Sequence, residues 1–578
     1  MDVKLARTAG FCMGVKRAVD MVLDLAPPRG KEKLYTYGPL IHNPQTIELL
    51  KLRGITPIER LDDMDTRNGP ATLIIRAHGI SPAERREIKA RGIRIIDATC
   101  PKVAHVQAII KKHAARQYHI LIIGDRSHPE VNGLLGYAGD RGTVISGVED
   151  VGRLPALDKV CVVAQTTQGV EEFETLVGCI RDRFPETVVF NTICDSTEKR
   201  QTEVRAMAAE MEAMLIVGGQ NSANTQRLAR LSERQGTPTF HIETAEDLKG
   251  IDLFRYRRIG VSAGASTPNW IIHRVVDDLE NDPGEKRRGL FSFWTLTVRT
   301  EVFSAIGGAG LSFACMFLQG LRPDVLNLLT AALYVYAMHT LNRFLARKGS
   351  IIGSFREATY RRHERRFLSL AVLAMVLALT LAFLSGWAPF ILLFTLSALG
   401  LVYNLRILPP TWRFRGLSDL PGSKNVAMAL AWAAVTAFLP RITVGFEAPP
   451  SLTVAFFLAF SLVFVRSALS DILDIQSDRL IGRETIPVLI GKDRTLVLLK
   501  GIALLTALVL VAAPFAGWAP WRIWTLIGCP FYVWICFIIC DREAWFPGVL
   551  LEGLLESVYL VAGLSAGVGL LFPRGFLS

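Results

Sequence analysis

Residues 1–280 repeat one local pattern about nine times: an apolar run that favours a strand, a short polar loop, and a stretch that favours a helix. This alternation is typical of α/β proteins, in which helices cover parallel sheets. A cysteine follows the strand in three of these units, and we take Cys12, Cys100 and Cys194 to open three groups of units. The sequence therefore predicts three similar α/β lobes around a pseudo-threefold axis, with all their loops aimed at one central cavity.

Polar side chains follow the other strands of the pattern. Parallel sheets bind ligands at the carboxyl ends of their strands, so these side chains are candidate site residues. Three histidines with hydroxyl and amide donors suit an anion, most simply a diphosphate. Glu130 is the one prominent carboxylate among these loops, and we expect it to donate protons there. The candidates are His42, His78, His128, Glu130, Thr166, Ser222, Asn224 and Ser266.

The three cysteines suit a metal centre. A thiol at a strand-to-helix turn lies near the N–H groups of the first helical turn, whose partial positive charge favours the thiolate. Structural zinc sites use closely spaced cysteine pairs, and none of these three cysteines belongs to such a pair. A catalytic zinc on three cysteines and an iron–sulfur cluster are both compatible with the spacing. We assign no role to Cys161 or Cys179.

The second half of the chain is predicted to cross a membrane. Beyond about residue 300, uncharged runs replace the dense charges of the first half, and runs near 20 residues match the thickness of the bilayer core. These runs predict an all-α membrane domain of about nine spans. The segment 281–295 is predicted to be a linker, so the domains are 1–280 and 296–578.

Charge predicts the location of the protein. Lys and Arg are concentrated in alternate loops of the second half, and such loops face the cytoplasm. We expect a multi-pass protein of the inner (cytoplasmic) membrane with its N-terminal domain in the cytoplasm. Loops that face anionic membrane lipid account for the net charge of +12, and we find no nucleic-acid-binding module. No signal peptide is evident, and the cysteine spacing suits a reducing compartment.

Eight short motifs carry a family resemblance. In chain order they are GFCMGVKRAV, GPLIHNP, RAHGISP, DATCPKV, GDRSHPEV, QTT, TIC and NSANT. With them, residues 1–280 resemble 4-hydroxy-3-methylbut-2-enyl diphosphate reductase, the terminal enzyme of the non-mevalonate isoprenoid pathway. The resemblance implies an α/β trefoil that reductively removes the substrate hydroxyl to give isopentenyl and dimethylallyl diphosphate. It also implies a [4Fe–4S] cluster held by Cys12, Cys100 and Cys194.

The same resemblance implies roles for the other matched residues. Glu130 would deliver protons with the help of Thr166, and a ferredoxin- or flavodoxin-type partner would supply electrons. Ala223 stands where many relatives have a second serine, so we expect a modest change in substrate affinity. The residues that would bind the diphosphate substrate are His42, His78, His128, Thr166, Ser222, Ala223, Asn224 and Ser266.

The second half carries a second resemblance. Asp471, Asp474 and Asp478 are spaced i, i+3 and i+7, which predicts three carboxylates on one helix face. Such a cluster suits Mg²⁺, which can bridge a diphosphate. The passage DILDIQSDRLIGRETIPVLIG resembles the second aspartate-rich motif of the UbiA-type membrane prenyltransferases. A second activity, prenyl transfer to an acceptor in membrane lipid, is therefore implied.

The first aspartate-rich motif of that family is incomplete in this chain. It begins at Asn342 and ends at Ala346 in place of an aspartate. We expect Arg343 to contact phosphate directly in compensation. Two alternatives stay open: a reductase with an inactive UbiA-like anchor, and a three-cysteine metal sensor with a membrane transducer.

Overall fold

The computed structural model describes residues 2–25, 33–65, 71–253, 255–280, 290–346, 360, 363–403, 416–445, 447–481, 483–541 and 548–572. The chain forms two compact units, Met1–Glu285 and Lys286–Ser578. Residues 281–289 of the predicted linker lie outside the described residues, and a helix begins at Leu290.

The described part of the first unit contains twelve β-strands, all paired in parallel. They are β1 (Asp2–Leu5), β2 (Lys33–Tyr37), β3 (Ile55–Ile58), β4 (Ala71–Ile75), β5 (Arg94–Asp97), β6 (His119–Ile123), β7 (Gly142–Ile145), β8 (Val160–Ala164), β9 (Thr187–Val189), β10 (Ala213–Val217), β11 (Thr239–Ile242) and β12 (Arg258–Ala263). They form three sheets of four strands, in the orders β1-β12-β10-β11, β3-β2-β4-β5 and β7-β6-β8-β9. Strands β8 and β10 are apolar and wholly buried, as expected of parallel strands covered on both faces.

Helices follow almost every strand of this unit. Several begin with a cap that the sequence provides, such as Ser81, whose hydroxyl accepts the backbone N–H of Glu84 while Glu84 reaches back. The helices are α1 (Met13–Leu25), α2 (Pro44–Leu52), α3 (Pro82–Ala90), α4 (Pro101–Ala114), α5 (Pro129–Ala138), α6 (Val148–Gly152), α7 (Val170–Arg183), α8 (Asp195–Glu210), α9 (Ala223–Arg234) and α10 (Asn269–Glu280).

The prediction of about nine strands was too low, because each sheet has one edge strand that the hydrophobic pattern does not reveal. These strands are β3, β7 and β11, each four residues long. Strand β3 contains Pro57, which interrupts a strand pattern but is tolerated at a sheet edge. Strand β11 has only one fully buried residue, Ile242. Short edge strands of this kind do not need a continuous apolar run.

The predicted three lobes are confirmed, but their grouping was wrong by one strand. Each sheet has at one edge the strand that precedes a cysteine: β5, β9 or β1. This strand belongs to the same sheet as the units that we placed in the preceding group. Cys100 follows β5, in the sheet whose strands β2 and β4 precede His42 and His78. Strand β1, which precedes Cys12, pairs with β12 from the far end of the unit. The third lobe is therefore completed by the first strand of the chain.

The second unit consists of helices. They are α11 (Leu290–Arg299), α12 (Val302–Leu318), α13 (Val325–Ala346), α14 (Glu364–Leu384), α15 (Trp387–Val402), α16 (Ser423–Val444), α17 (Pro450–Leu473), α18 (Ile475–Ile481), α19 (Ile486–Ile490), α20 (Lys492–Phe515), α21 (Gly528–Asp541) and α22 (Gly548–Leu570). A 3₁₀ stretch, Trp521–Ile527, leads into α21.

This unit is a multi-pass membrane domain. Among the described residues, six helical segments are long and apolar enough to cross a bilayer, and a seventh is formed if α11 and α12 count as one span bent by 82°. Large apolar side chains such as Leu373 (53% exposed) and Val497 (71% exposed) lie on the outer surface of the bundle. An apolar outer surface of this kind suits lipid.

Candidate active site

The three lobes present their cysteines in the same way. Each cysteine donates its backbone N–H to a carbonyl that follows the neighbouring strand of its own sheet, and each stands at the start of a helix. This repeated contact fixes each thiol at the carboxyl edge of its sheet. The three hydrogen bonds are Cys12 N to Ala265 O (3.1 Å), Cys100 N to Ala77 O (2.9 Å) and Cys194 N to Thr166 O (2.9 Å).

The cysteine loops lie against one another. A Cβ added to Gly14 would lie 2.6 Å from Cys100 Sγ and 4.0 Å from Cys12 Sγ, so only glycine fits between these two thiols. The Lys102 ammonium, two residues after Cys100, pairs with the Asp195 carboxylate at 3.0 Å. Because Asp195 directly follows Cys194, this ion pair brings the third cysteine loop to the other two.

The spacing of the thiols bears on which metal centre they suit. Zinc binds thiolates at about 2.3 Å, so thiolates that share one zinc lie within roughly 4 Å of one another. The three Sγ atoms do not all lie within 4.8 Å of one another, although all three residues are described. Wider spacing is expected when each thiolate binds a different iron of a cluster. The donor set of three thiols suits a thiophilic metal centre.

At one cysteine, the effect of the helix N-terminus on the thiol is smaller than the opposing effect of burial. Cys100 caps α4, and the backbone N–H groups of Lys102 and Val103 in the first turn lower the pKa of its thiol. Burial acts in the opposite direction and is the larger effect, so the pKa of Cys100 is raised from its ordinary value. A bound metal centre would have to supply the positive charge that stabilises this thiolate.

Three histidines form a second cluster at the same edge. The ring centroids of His42 and His78 are 4.7 Å apart, those of His42 and His128 5.6 Å, and those of His78 and His128 5.3 Å. Burial lowers the pKa of His42 and takes that of His78 well below the usual value, while that of His128 falls to about 4. All three rings are thus neutral near pH 7, and each carries one N–H donor.

The hydrogen bond at His128 fixes which nitrogen carries the proton. The backbone N–H of Glu130 donates to His128 Nδ1 at 3.2 Å, so the ring proton of the neutral form resides on Nε2. An Nε2–H group donates to an anion and cannot ligate a metal. One ring nitrogen from each of the three histidines lies within 4.8 Å of the other two, a spacing that could also hold a metal ion. The proton on His128 Nε2 favours an anion at this position over a metal ion.

Several donors around the histidines are buried and have no protein partner. They are His42 Nε2, His78 Nδ1 and Asn224 Nδ2. Buried polar atoms without partners are costly, and a bound anion would satisfy those that donate. A cavity of about 330 Å³ adjoins them, and it takes lining residues from all three lobes, among them His42, His128 and Ala223.

The predicted hydroxyl donors differ in how free they are. Ser222 caps α9 by accepting the backbone N–H of Thr225 at 3.4 Å, which leaves its own hydroxyl proton available. Ser266 donates its hydroxyl to the carbonyl of His42 at 3.1 Å. Ser266 therefore joins two lobes, and its hydroxyl must rotate before it can donate to an anion.

The predicted acid is buried and positioned by one neighbour. The Glu130 side chain lies in the first turn of α5 and is 2% exposed. Thr166 donates its backbone N–H to Glu130 Oε1 (2.7 Å) and its hydroxyl to Oε2 (2.9 Å). Burial nevertheless raises the pKa of Glu130 above the ordinary value. A carboxyl group in this environment keeps its proton to a higher pH, as a general acid must.

Two arginines of the site were not predicted. The buried Arg76 guanidinium lowers the pKa values of all three histidines, and a Cβ at Gly38 would collide with it. The Arg227 side chain is 12% exposed and binds the carboxylate of Asp125 (2.6 Å) and the carbonyl of Thr167 (2.9 Å). Arg76 lies in the RAHGISP motif and Arg227 follows NSANT. Their positions beside the predicted site residues could therefore have indicated that both belong to the site.

The motifs and their geometry agree with the comparisons to known proteins. The family model described as LytB protein matches residues 3–280. The 4-hydroxy-3-methylbut-2-enyl diphosphate reductase of Opitutus terrae is 43% identical over 291 residues, which is 48% of this chain and 99% of that protein. The chain belongs to the LytB family.

Other relatives of the LytB chain carry the same name. The reductase of Geobacter sulfurreducens is 40% identical over 290 residues, covering 50% of this chain and 100% of that protein. The solved structure of an (E)-4-hydroxy-3-methyl-but-2-enyl diphosphate reductase, at 40% identity, covers 49% of this chain and 100% of that one, with a TM-score of 0.38. The UbiA prenyltransferase family model matches residues 313–545.

The aspartates in the UbiA-like part of this LytB chain are not arranged as predicted. Helix α17 ends at Leu473, and the short α18 begins at Ile475, so Asp471, Asp474 and Asp478 do not share one continuous helix. Their carboxylates do not form a group within 4.8 Å of one another among the described residues. The continuous helix that the spacing predicted is interrupted at Asp474, and the three aspartates flank that break.

Two of these carboxylates already have cationic neighbours. The Asp471 side chain is buried and accepts the Lys424 ammonium at 3.1 Å. The Asp478 carboxylate lies 3.7 Å from Arg483. Asp474, in contrast, is exposed at the end of α17. Of the three, Asp474 is the carboxylate best placed to meet a metal ion from outside.

The expected role of Arg343 is also changed by the structure. Its guanidinium pairs with Glu301, which is fully buried at the bend between α11 and α12. Glu301 Oε2 also accepts from Ser304 (3.1 Å) and lies 3.3 Å from His339 Nδ1. Arg343 thus joins two helices of the bundle, and its charge is already balanced before any phosphate approaches.

Proposed function

We propose that this chain catalyses the reductive dehydroxylation of 4-hydroxy-3-methylbut-2-enyl diphosphate to isopentenyl and dimethylallyl diphosphate. The observation that carries the proposal is the meeting of three cysteine loops, a donor-lined cavity and a buried acid at the carboxyl edges of three lobes. The relatives that carry this name are matched over nearly their whole length. In the reaction, a C–O bond breaks and a C–H bond forms, with uptake of two electrons and two protons and release of water.

In this proposal, Cys12, Cys100 and Cys194 hold a [4Fe–4S] cluster. When bound, the cluster supplies electrons and an open iron site that acts as a Lewis acid. The thiol spacing and the glycine between Cys12 and Cys100 support this assignment. The electrons come from an outside donor of the ferredoxin or flavodoxin type.

Residues that line the cavity, such as His42 and His128, and donors beside it bind and orient the substrate. The diphosphate accepts N–H groups from His42, His78 and His128 and from the Asn224 amide, while the Ser222 hydroxyl donates and Arg76 supplies a fixed positive charge. Ala223 offers only its backbone there. An anchor remote from the reacting carbon positions that carbon and contributes binding energy to catalysis.

Glu130 delivers the proton that lets water leave. Its raised pKa lets the carboxyl keep its proton to a higher pH than an ordinary glutamate, and Thr166 donates to both of its oxygens. The carbonyl of Thr166 also accepts the Cys194 backbone N–H. Thr166 therefore connects the acid to the loop of Cys194. This connection fixes the position of the proton donor relative to the reacting carbon.

An anaerobic assay of the purified full-length chain tests this function. With the diphosphate substrate and a chemical reductant, we expect both five-carbon products and a protein that contains iron and sulfide. A three-cysteine metal sensor, the alternative from another class, would bind metal and give neither product. Metal binding without turnover under these conditions would therefore favour the sensor.

For the second unit we propose nine spans, with the N-terminal unit on the cytoplasmic side of the inner membrane. Helices α13 and α15 would add two crossings to the six helices and the bent pair. Helix α13 is 22 residues long and α15 is 16, and a tilted or locally thinned bilayer accommodates such differences. The basic loops support the orientation.

The second unit is further proposed to transfer a prenyl group with the help of Mg²⁺ bound near Asp474. We expect weak, Mg²⁺-dependent incorporation of labelled prenyl diphosphate into membrane lipid, and Asp474→Asn should eliminate it while reductase activity stays unchanged. The exposed Asp493, in the first turn of α20, provides the control Asp493→Asn. Equal incorporation by wild type and Asp474→Asn, or none by either with several donors, would favour an inactive anchor.

A further inference from the structure

Arg200 is a buried cation beside the cysteine loops. It lies on α8, the helix that Cys194 caps, and is 3% exposed. Its Nη2 donates to the carbonyls of Thr8 (2.5 Å) and Gly10 (2.8 Å), in the loop that leads to Cys12. One guanidinium group therefore connects the loop of one cysteine to the helix of another.

The charge of Arg200 has no carboxylate within ion-pair distance. Among the described residues, no carboxylate lies within 4.0 Å of it, and its Nε and Nη1 atoms are buried without a hydrogen-bond partner. The nearby Glu203 carboxylate accepts the backbone N–H groups of Arg7 and Thr8 and the Thr8 hydroxyl instead. A buried charge without a directly paired counter-charge is unfavourable, and among the described residues Glu203 acts on Arg200 only at longer range.

The electrostatics point to the thiols as a counter-charge of Arg200. Burial lowers the pKa of Arg200 to about 10, whereas Cys12, Glu203 and Cys194, when ionised, raise it, so two of the three negative groups that act on Arg200 are thiols. The group stays charged at neutral pH. The contrast with Arg205, further along the same helix, is clear: Arg205 reaches the Glu171 carboxylate at 2.8 Å and is 37% exposed.

We propose that Arg200 is the counter-charge of the iron–sulfur centre and favours its reduction. This inference rests on the proposed function, because it requires a cluster on Cys12, Cys100 and Cys194. Reduction adds negative charge to a site that the thiolates already make negative. A fixed positive charge in a water-poor interior stabilises the reduced form more than the oxidised form. Arg200 is thus a positioning residue that acts through the cluster and does not touch the substrate.

The test is a redox titration of the reconstituted full-length protein, followed by electron paramagnetic resonance. For Arg200→Met we expect the equilibrium constant for one-electron reduction to fall about tenfold, a midpoint potential about 59 mV more negative. Arg200→Lys keeps the charge and should change that constant less than threefold. Arg205→Met is the matched control, since it removes an arginine from the same helix and should leave the potential unchanged.

Each outcome decides the proposal. An iron-loaded Arg200→Met protein with the wild-type potential overturns it. If Arg200→Met cannot hold iron, Arg200→Lys decides: iron retention with a near-wild-type potential supports the charge, and iron loss by both variants shows a structural role only. Failure of the wild-type protein to take up a cluster would instead contradict the proposed function, so the two failures are distinguishable.

Discussion

Serine at position 12, 100 or 194 is expected to abolish the reductase activity and to remove most of the bound iron. A serine hydroxyl is a much poorer iron ligand than a thiolate. Each cysteine is held by a backbone hydrogen bond of its own lobe, so the substitution should change the ligand atom and leave the loop in place. The measurements are iron and sulfide per chain, the visible absorption of the reconstituted protein, and anaerobic turnover.

The control for this prediction is Cys179→Ser. Cys179 lies within α7, packs beside the core of its lobe, and is half-buried, so its replacement should change neither iron content nor turnover. The expectation would be contradicted if Cys179 proved necessary for iron binding, or if any one of the three cysteine variants kept full iron and activity.

Glu130→Gln should lower turnover by roughly 10²–10⁴-fold while the substrate still binds, the range usual for loss of a general acid. Glutamine keeps the shape of the side chain and can still accept from Thr166, but it has no proton to transfer. Because burial raises the pKa of Glu130, the wild-type rate should stay high to a pH above that of an ordinary glutamate. It should then decline as pH rises through that pKa.

The matched control is Glu172→Gln. Glu172 lies in the first turn of α7 and pairs with the exposed Arg234 at 3.1 Å, so its substitution should leave both the rate and the pH profile unchanged. Single-turnover kinetics with enzyme in excess over substrate separate binding from proton delivery. Turnover close to wild type in Glu130→Gln would assign the proton to another group.

The sequence predicted the candidate site well because its residues all follow strands. Parallel strands end at a common edge, so the neighbours of Cys12, His42 and His78 in space could be inferred from where each strand stops. The histidine, hydroxyl and amide groups of those side chains then indicated that the ligand is an anion, most simply a diphosphate. The identity of the fourth strand in each sheet could not be inferred in this way, since an edge strand such as β3 tolerates Pro57 and needs little apolar surface.

Contacts between distant parts of the chain were less predictable. The pairing of β1 with β12 depends on closure of the whole unit, which no local pattern records. The pair formed by Arg343 and Glu301 depends on the bend between α11 and α12. For the same reason the sequence suggested a phosphate ligand at Arg343, whereas the folded chain uses this residue to join helices.

The closure of the third lobe has a consequence for biogenesis. Strand β1 leaves the ribosome first but has only β12 as its sheet partner, some 250 residues later. The lobes that carry Cys100 and Cys194 are contiguous in sequence and can fold during synthesis, whereas the loop of Cys12 becomes fixed only after β12 has been made. On the proposed cluster assignment, the set of three cysteine loops is therefore completed late, when the first apolar helices at 290–318 are being translated. Cluster assembly and membrane insertion of the nascent chain then compete for the same interval.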